Sequence, residues 1–364
     1  EMLNKTIAAV DRLDWRFKAL VVACILLPMY FSSAPQQPEV VPKPVALPGD
    51  QPKNIISGNG PDGIAMIASN TVKVTNSVIG TDEAGDAGLG NAGNGISIES
   101  GSDNNIGSNQ TVGNVIAGNQ SLGIKIHASN RNVILGNLIG VVNRNGSNVA
   151  LTTDNQDGIL IDDAQQTKIG QSDPIFTYSN IIGGNSSGIT IRGPQALLSV
   201  IARNYIGTDA SGANLANRLA GVHILDAASQ NDIGIRDDLN AGNVIAFNVG
   251  PGVYIEGSAL CCNLVDPNVI FGNGGLGIAL GDPNLRLAND PGDGDSGPNN
   301  LQNYPEITSA QLSPSGDLIV QYKVDSAPGN SNYGTNGLHL EFFRADAAGQ
   351  GQLFLGESSY TLTD

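Results

Sequence analysis

Residues 114–142 read NVIAGNQSLGIKIHASNRNVILGNLIGVV, and their rhythm decides the fold. Short aliphatic pairs alternate with a period of two, as strand residues do, and each run is closed by Asn or Gly. Those two residues tolerate the left-handed backbone of a tight corner, so very short strands are predicted between corners. The phrases return along the chain. N-x-I-x-x-N begins at Asn54, Asn114, Asn180 and Asn243, at steps of 60, 66 and 63 residues. Gly-Ile/Val-x-Ile/Leu/Met begins at Gly63, Gly95, Gly123, Gly158, Gly188, Gly221, Gly252 and Gly277. Ile-Gly occurs at Ile79, Ile139 and Ile206, followed by Thr-Asp in the first and last.

Such self-similarity is the mark of a solenoid, in which each short unit buries its apolar face only against its neighbours. The asparagine phrase also recurs 18 residues on, from Asn114 to Asn132. This divides a 63-residue unit into three turns of about 20 residues, and so predicts about 11 turns of a parallel β-helix. Asparagines at equivalent corners are expected to stack into ladders. A leucine-rich repeat would need a Leu framework, which is missing.

The composition agrees. The chain has 47 Gly and 18 Pro in 364 residues, with 14% charged and 5% aromatic residues. A helical bundle or coiled coil would need far more Ala, Glu, Lys, Leu and Arg. The formal charge is −16, with no basic stripe to meet phosphates, so a nucleic-acid partner is excluded. Cys24 lies in an apolar run and Cys261 and Cys262 are adjacent, which gives neither a disulfide framework nor a zinc spacing.

The phrases NVIAGN, GIKI, NVILGNLIGVV and NYIGTDASG resemble those of right-handed parallel β-helix repeat proteins of bacterial cell surfaces, in the pectate-lyase-like superfamily. The resemblance covers about residues 54–300, and NDPGDGDSGPNNLQNYPEITSA at 289–310 is similar to the exit segment of such proteins. It implies an all-β right-handed parallel β-helix. It implies little about activity.

Four segments follow. Residues 1–34 carry an amphipathic stripe (Leu3, Ile7, Val10, Leu13, Phe17, Val21) that runs into the apolar stretch 19–31. They are predicted as an anchor helix, with Trp15 and Tyr30 at the two interfaces and Arg16 and Lys18 snorkelling. Lys5, Arg12, Arg16 and Lys18 all precede the apolar run, which places the N-terminus in the cytoplasm and the body in the periplasm or outside the cell. A cleaved signal peptide, or lipid attachment at Cys24 after Val21-Val22-Ala23, are the competing readings. Residues 35–53 hold six prolines and form a semi-rigid linker. The β-helix is assigned to 54–304. Longer alternating strands in 305–364 resemble a β-sandwich segment.

In each Gly-Ile-x-Ile-z phrase the aliphatics point inward, so x and z point outward. This gathers Glu99, Lys125, His127, Asp162, Arg192, His223, Tyr254 and Glu256 on one face. The functional reading is a saccharide groove or a protein-docking face. The plain reading is a solvated sheet face whose charges oppose edge aggregation. No catalytic set is assembled: hydrolysis wants paired carboxylates with one tuned as an acid, and Asp162 with Arg192 is a thin version of a lyase site. No cofactor is implied. The acidic loop Asp290, Asp293, Asp295 alternates carboxylates as calcium sites do, but lacks the closing Glu of an EF-hand. The function these features predict is a non-enzymatic, membrane-anchored extracytoplasmic structural or docking subunit. Its partners would be lipid and other membrane protein subunits, as in a respiratory or photosynthetic complex. The alternative is a surface protein that binds or cleaves polysaccharide by lyase or hydrolase chemistry. An adhesin or filament subunit is a third reading.

Overall fold

The structure is a computed structural model that describes residues 29–31, 54–85, 89–108, 113–151, 155–170, 179–236, 238, 241–257, 262–326 and 338–360. The chain divides into two units. One comprises 36–287 and 296–301; the other comprises 1–35, 288–295 and 302–364.

The larger unit is a parallel β-helix with three stacked sheets. Sheet A has eight strands, from Asn54–Ile56 to Asn268–Phe271. Sheet B has eight, from Ile64–Ile67 to Ile278–Gly281, and sheet C seven, from Lys73–Val74 to Leu264–Val265. Every neighbouring pair within them is parallel and in register, so like stacks on like. Ile124, Ile159 and Ile189 share one column, and Ile126, Ile161 and Ile191 another. The isoleucines of all three sheets meet in one interior cluster, most of them fully buried. Each contributes about 1.5–3 kcal/mol from burial alone. Isoleucine suits this role because its branched Cβ packs against identical neighbours on a pleated surface.

Three asparagine ladders hold the corners. The longest runs Asn59, Asn91, Asn119, Asn155, Asn185, Asn217, Asn248, Asn273, each Nδ2 donating to the next Oδ1 at 2.8–3.2 Å. A second runs Asn114, Asn137, Asn180, Asn204, Asn243, Asn268 at 2.8–3.0 Å. The third is interrupted: Asn104 donates to Asn132 and Asn231 to Asn263, with Thr167 and Ser199 buried between. Most of these amides also donate to a main-chain carbonyl, as Asn137 Nδ2 does to the Ile106 oxygen at 2.9 Å. The corners of the first two ladders thereby meet their polar needs without water, whereas Asn132 Nδ2, Thr167 Oγ1 and Ser199 Oγ of the third are buried without a hydrogen-bond partner. Glycine is required where coils touch at a corner. Gly140 has φ +70°, and a Cβ there would collide with the Gly183 carbonyl oxygen.

The coil count corrects the expectation. Successive asparagines of the longest ladder lie 25–36 residues apart, so a turn takes about 30 residues and the longest sheets have eight strands, not 11. Asn114 and Asn132, 18 apart, belong to different ladders. They are neighbours around a coil, not up the stack. Seven spacings of about 4.8 Å give a stack about 34 Å long.

The outward face of sheet A is not wet. Val78, Val115, Leu138, Ile181 and Tyr205 point away from the interior, yet all are buried in a second cluster with Val141, Val142, Leu151 and Leu215. The cover comes from insertions. In the third and fifth coils the two ladder asparagines lie five residues apart (114 to 119, 180 to 185); in the fourth and sixth they lie 18 and 13 apart (137 to 155, 204 to 217), and in the second Ser77 takes the first position, 14 residues before Asn91. The longest insertion is an antiparallel hairpin, Val141–Arg144 with Ser147–Ala150.

In the smaller unit, Glu306–Leu312 pairs with Leu318–Lys323, and Leu338–Ala345 with Gly351–Tyr360, all antiparallel. Val320, Val324, Leu338, Leu340 and Phe342 form their common core. Met29–Phe31 is a strand antiparallel to Leu318–Val320, which corrects the expectation of helix through Phe31. Pro28 just before it bars helix continuation, and Tyr30 and Phe31 favour strand. Tyr30 thus lies on a strand, while Trp15, Arg16, Lys18 and the rest of the anchor and linker lie outside the described residues. Among the described residues no helix is long and apolar enough to cross a membrane.

Candidate functional site

The site is the outward face of sheet B, and its register follows from the glycine phrases. One outward column reads Ala65, Ser97, Lys125, Leu160, Thr190, His223, Tyr254, Ala279; the other reads Ile67, Glu99, His127, Asp162, Arg192, Leu225, Glu256, Gly281. All eight residues singled out from the sequence therefore share this face, on six consecutive strands. Their side chains pair across strands about 30 residues apart in the chain.

Lys125 Nζ lies 2.8 Å from Glu99 Oε1, and Ser97 Oγ donates to the same carboxylate oxygen at 3.2 Å. Arg192 grips Asp162 with two hydrogen bonds, Nε to Oδ1 and a terminal nitrogen to Oδ2, both 3.0 Å. His127 Nδ1 approaches Asp162 Oδ2 to 3.3 Å from the other side, without the geometry of a hydrogen bond. Burial opposes ionisation of Asp162, but the Arg192 guanidinium, helped by His127 and Lys125, holds its carboxyl below the usual value. Two strands along, His223 stacks on Tyr254 with ring centroids 4.7 Å apart and planes at 12°. His223 Nε2 lies 2.9 Å from Glu256 Oε2, and the Tyr254 hydroxyl donates to the Gly281 carbonyl at 3.1 Å. Burial, followed by Glu256 and Asp282, raises the Tyr254 hydroxyl above its usual value. Leu160 and Thr190 face outward yet are buried, because short side chains sit low between long ones.

Sequence reasoning missed the acids at the margin. Asp157 accepts from the Ser187 amide at 3.1 Å and from Thr190 Oγ1 at 2.8 Å. Both it and Asp226 act on the charge of Arg192. Asp157 directly precedes the Gly158 phrase and Asp226 directly follows Leu225, so their signal was the residue flanking each phrase.

This arrangement orients polar groups; it does not assemble a hydrolytic pair. Glu99 and Asp162 lie two strands apart, about 9.6 Å at strand spacing, which is near the range for an inverting hydrolase. Glu99 is ion-paired with Lys125, and Asp162 is held ionised by Arg192, so Asp162 is not placed as a proton donor. The Asp162 pair makes a pH prediction. A depressed carboxyl adds stability above the usual aspartate range, and that stability disappears as pH falls through the depressed value. Unfolding free energies of wild type and Asp162→Asn from urea titration should differ by about 1 kcal/mol at pH 7, a value discounted for the exposure of Arg192, and the gap should close as pH falls through the depressed value.

In the smaller unit the carboxylates of Asp290, Asp293 and Asp295 come within 4.8 Å of one another. Burial and the two neighbouring acids push Asp295 up. Asp293 is spoken for, accepting from the Asn303 amide and from Ser326 Oγ, whereas Asp290 Oδ1 is buried without a hydrogen-bond donor. Calcium would bridge such a set, and is expected to raise the unfolding temperature by a few degrees over a chelator control. Coincident melts would leave the loop a turn held by its own hydrogen bonds. The Thr-Asp corner at 208–209 is turn chemistry: Asp209 Oδ1 accepts from the Ser211 and Ala213 amides.

No family model matches the chain, and no curated protein does. Among solved structures, the crystal structure of the periplasmic alginate epimerase AlgG is similar over 62% of this chain, at 15% identity and a TM-score of 0.37. The match spans 51% of that enzyme, so the chain covers about half its length.

Proposed function

We propose that the chain is an extracytoplasmic β-helix that binds an extended polysaccharide, without cleaving it, along the outward face of sheet B. One observation carries this reading: on six consecutive strands, imidazole, guanidinium, ammonium, carboxylate and phenol groups form an unbroken band in a chain that is only 14% charged. The outward faces of the other sheets differ. Sheet A's is covered by its own insertions, and sheet C's column (Lys73, Asn105, Val133, Lys168, Val200, Asp232, Leu264) mixes apolar and polar residues without such continuity. The band spans about 24 Å with a repeat of about 4.8 Å, a pitch suited to a linear polymer of sugar rings lying along the stack. Fixed hydrogen-bonding groups beside a flat aromatic pair meet the two needs of sugar recognition, polar edges and an apolar ring face. The four basic residues ahead of the apolar run support a body outside the cytoplasm.

The test is retention of the full chain on a glycan array, followed by calorimetry on the best ligand. Replacing both His223 and Tyr254 by Ala should weaken binding at least about tenfold, as expected for a stacking platform worth upward of 1.4 kcal/mol. A reducing-end assay on the bound polymer should stay flat. Absence of retention on any glycan would sink the reading, and release of new reducing ends would convert it to an enzyme.

A further inference from the structure

The charges on sheet B bear on which polysaccharide fits, an inference that rests on the glycan reading above. Only two fixed cations lie in the band, Lys125 and Arg192, and both are already engaged. Arg192 gives its fork to Asp162 in two 3.0 Å hydrogen bonds, and Lys125 sits 2.8 Å from Glu99. A carboxylate on a sugar would have to displace Asp162 or Glu99, leaving a partly buried protein carboxylate without its partner. Such a vacated charge is costly. The surroundings add to the barrier. Asp157 and Asp226 act on Arg192, and Asp282 acts with Glu256 on Tyr254. Six carboxylates (Glu99, Asp157, Asp162, Asp226, Glu256, Asp282) against two cations give 2 − 6 = −4. Protonating both His127 and His223 brings this only to −2. The whole chain, at −16, adds to the same sign.

We infer that the ligand class is a neutral, hydroxyl-rich glycan, and that sheet B rejects polyuronates and other polyanions. A neutral glycan asks for the opposite of what a polyanion does. Its hydroxyls donate to carboxylates in charge-assisted hydrogen bonds, so Glu99, Asp162 and Glu256 become acceptors without losing their protein partners. The stacked His223–Tyr254 pair offers an apolar surface to the C–H face of a sugar ring.

The experiment compares the full chain on cello-, manno- and galacto-oligosaccharides with oligogalacturonates and oligoalginates of matched length. Retention of a neutral series, with affinity unchanged up to about 0.5 M salt, is expected because no net ion pair forms. Oligouronates should bind at least about tenfold more weakly at low salt. Two variants sharpen the result by freeing a cation: Asp162→Asn releases Arg192, and Glu99→Gln releases Lys125. Either should improve oligouronate binding several-fold. Oligouronates that bind wild type as well as neutral glycans do, with an affinity that falls as salt rises, would overturn the inference while leaving the glycan reading standing. Failure of every glycan would remove both.

Discussion

Replacing Asn180 with Ala should destabilise the β-helix by about 3–5 kcal/mol, read as a drop in the urea midpoint of the larger unit's transition. Asn180 is fully buried in mid-ladder. Its Oδ1 accepts from both the amide and the Nδ2 of Asn137 at 3.0 Å, while its own Nδ2 donates to the Ile134 carbonyl at 2.9 Å and to Asn204 Oδ1 at 2.8 Å. Alanine abandons two buried donors and takes a donor from two acceptors, and each unsatisfied donor costs about 1–3 kcal/mol. The exposed ladder end, Asn59, is the control: Asn91 Oδ1 keeps the Asn59 main-chain amide as a donor at 3.1 Å after the side chain is removed, so Asn59→Ala should cost less than about 1 kcal/mol. Asn180→Asp separates hydrogen bonding from shape. One carboxylate oxygen still serves Asn137, but the other then faces two acceptors, so the ionised form is disfavoured and its folded pKa is raised. The penalty should be full at pH 7 and shrink as pH falls toward the ordinary aspartate range. Equal costs for Asn180→Ala and Asn59→Ala would show that the ladders decorate the corners instead of holding them.

How much of this was legible depends on whether the signal was local. The eight glycine phrases each open one strand of sheet B, and the inward or outward sense of every residue in them follows from a period of two. Hence the band from Glu99 to Glu256 was readable. The pairings within it were not, since Arg192 meets Asp162 across 30 residues of chain and nothing in either phrase names the other. The number of coils misled for a physical reason: Asn performs the same duty at all three corners, so Asn114, Asn132 and Asn137 look alike although they occupy two different ladders. Sheet A hid its cover as well. Val115, Leu138 and Ile181 stand beside inward isoleucines, and two adjacent aliphatics read equally well as a strand buried on one face or on both.

That cover carries the other large effect. Val142→Asp should cost about 3–5 kcal/mol, because it buries a carboxylate among the apolar side chains of the second cluster. Ser147→Asp, on the exposed end of the same hairpin and across from Arg144, should stay within about 0.5 kcal/mol. The reason lies in spacing. The insertions that follow sheet A fall on the second, fourth and sixth coils. Two strand spacings make about 9.6 Å, close to the roughly 10 Å at which one layer packs on another, so each insertion fills the space over two coils and touches the next. The contacts are specific. Arg144 donates to the Gly85 carbonyl at 2.8 Å, Gly85 lies under Val142, and Asn148 donates to Asp209 Oδ2 at 2.9 Å. The same alternation explains the steps of 60–66 residues from Asn54 to Asn243: these phrases mark coils with no insertion between sheets A and B. Because the three insertions form one outer layer, damage at Val142 should spread. Hydrogen exchange should accelerate in 79–85 and 207–215 together with 141–151, while the interior strand Ile159–Ile161 keeps its protection. Acceleration confined to 141–151 would mean that each insertion folds onto sheet A alone, and the two-coil spacing would then have no energetic consequence.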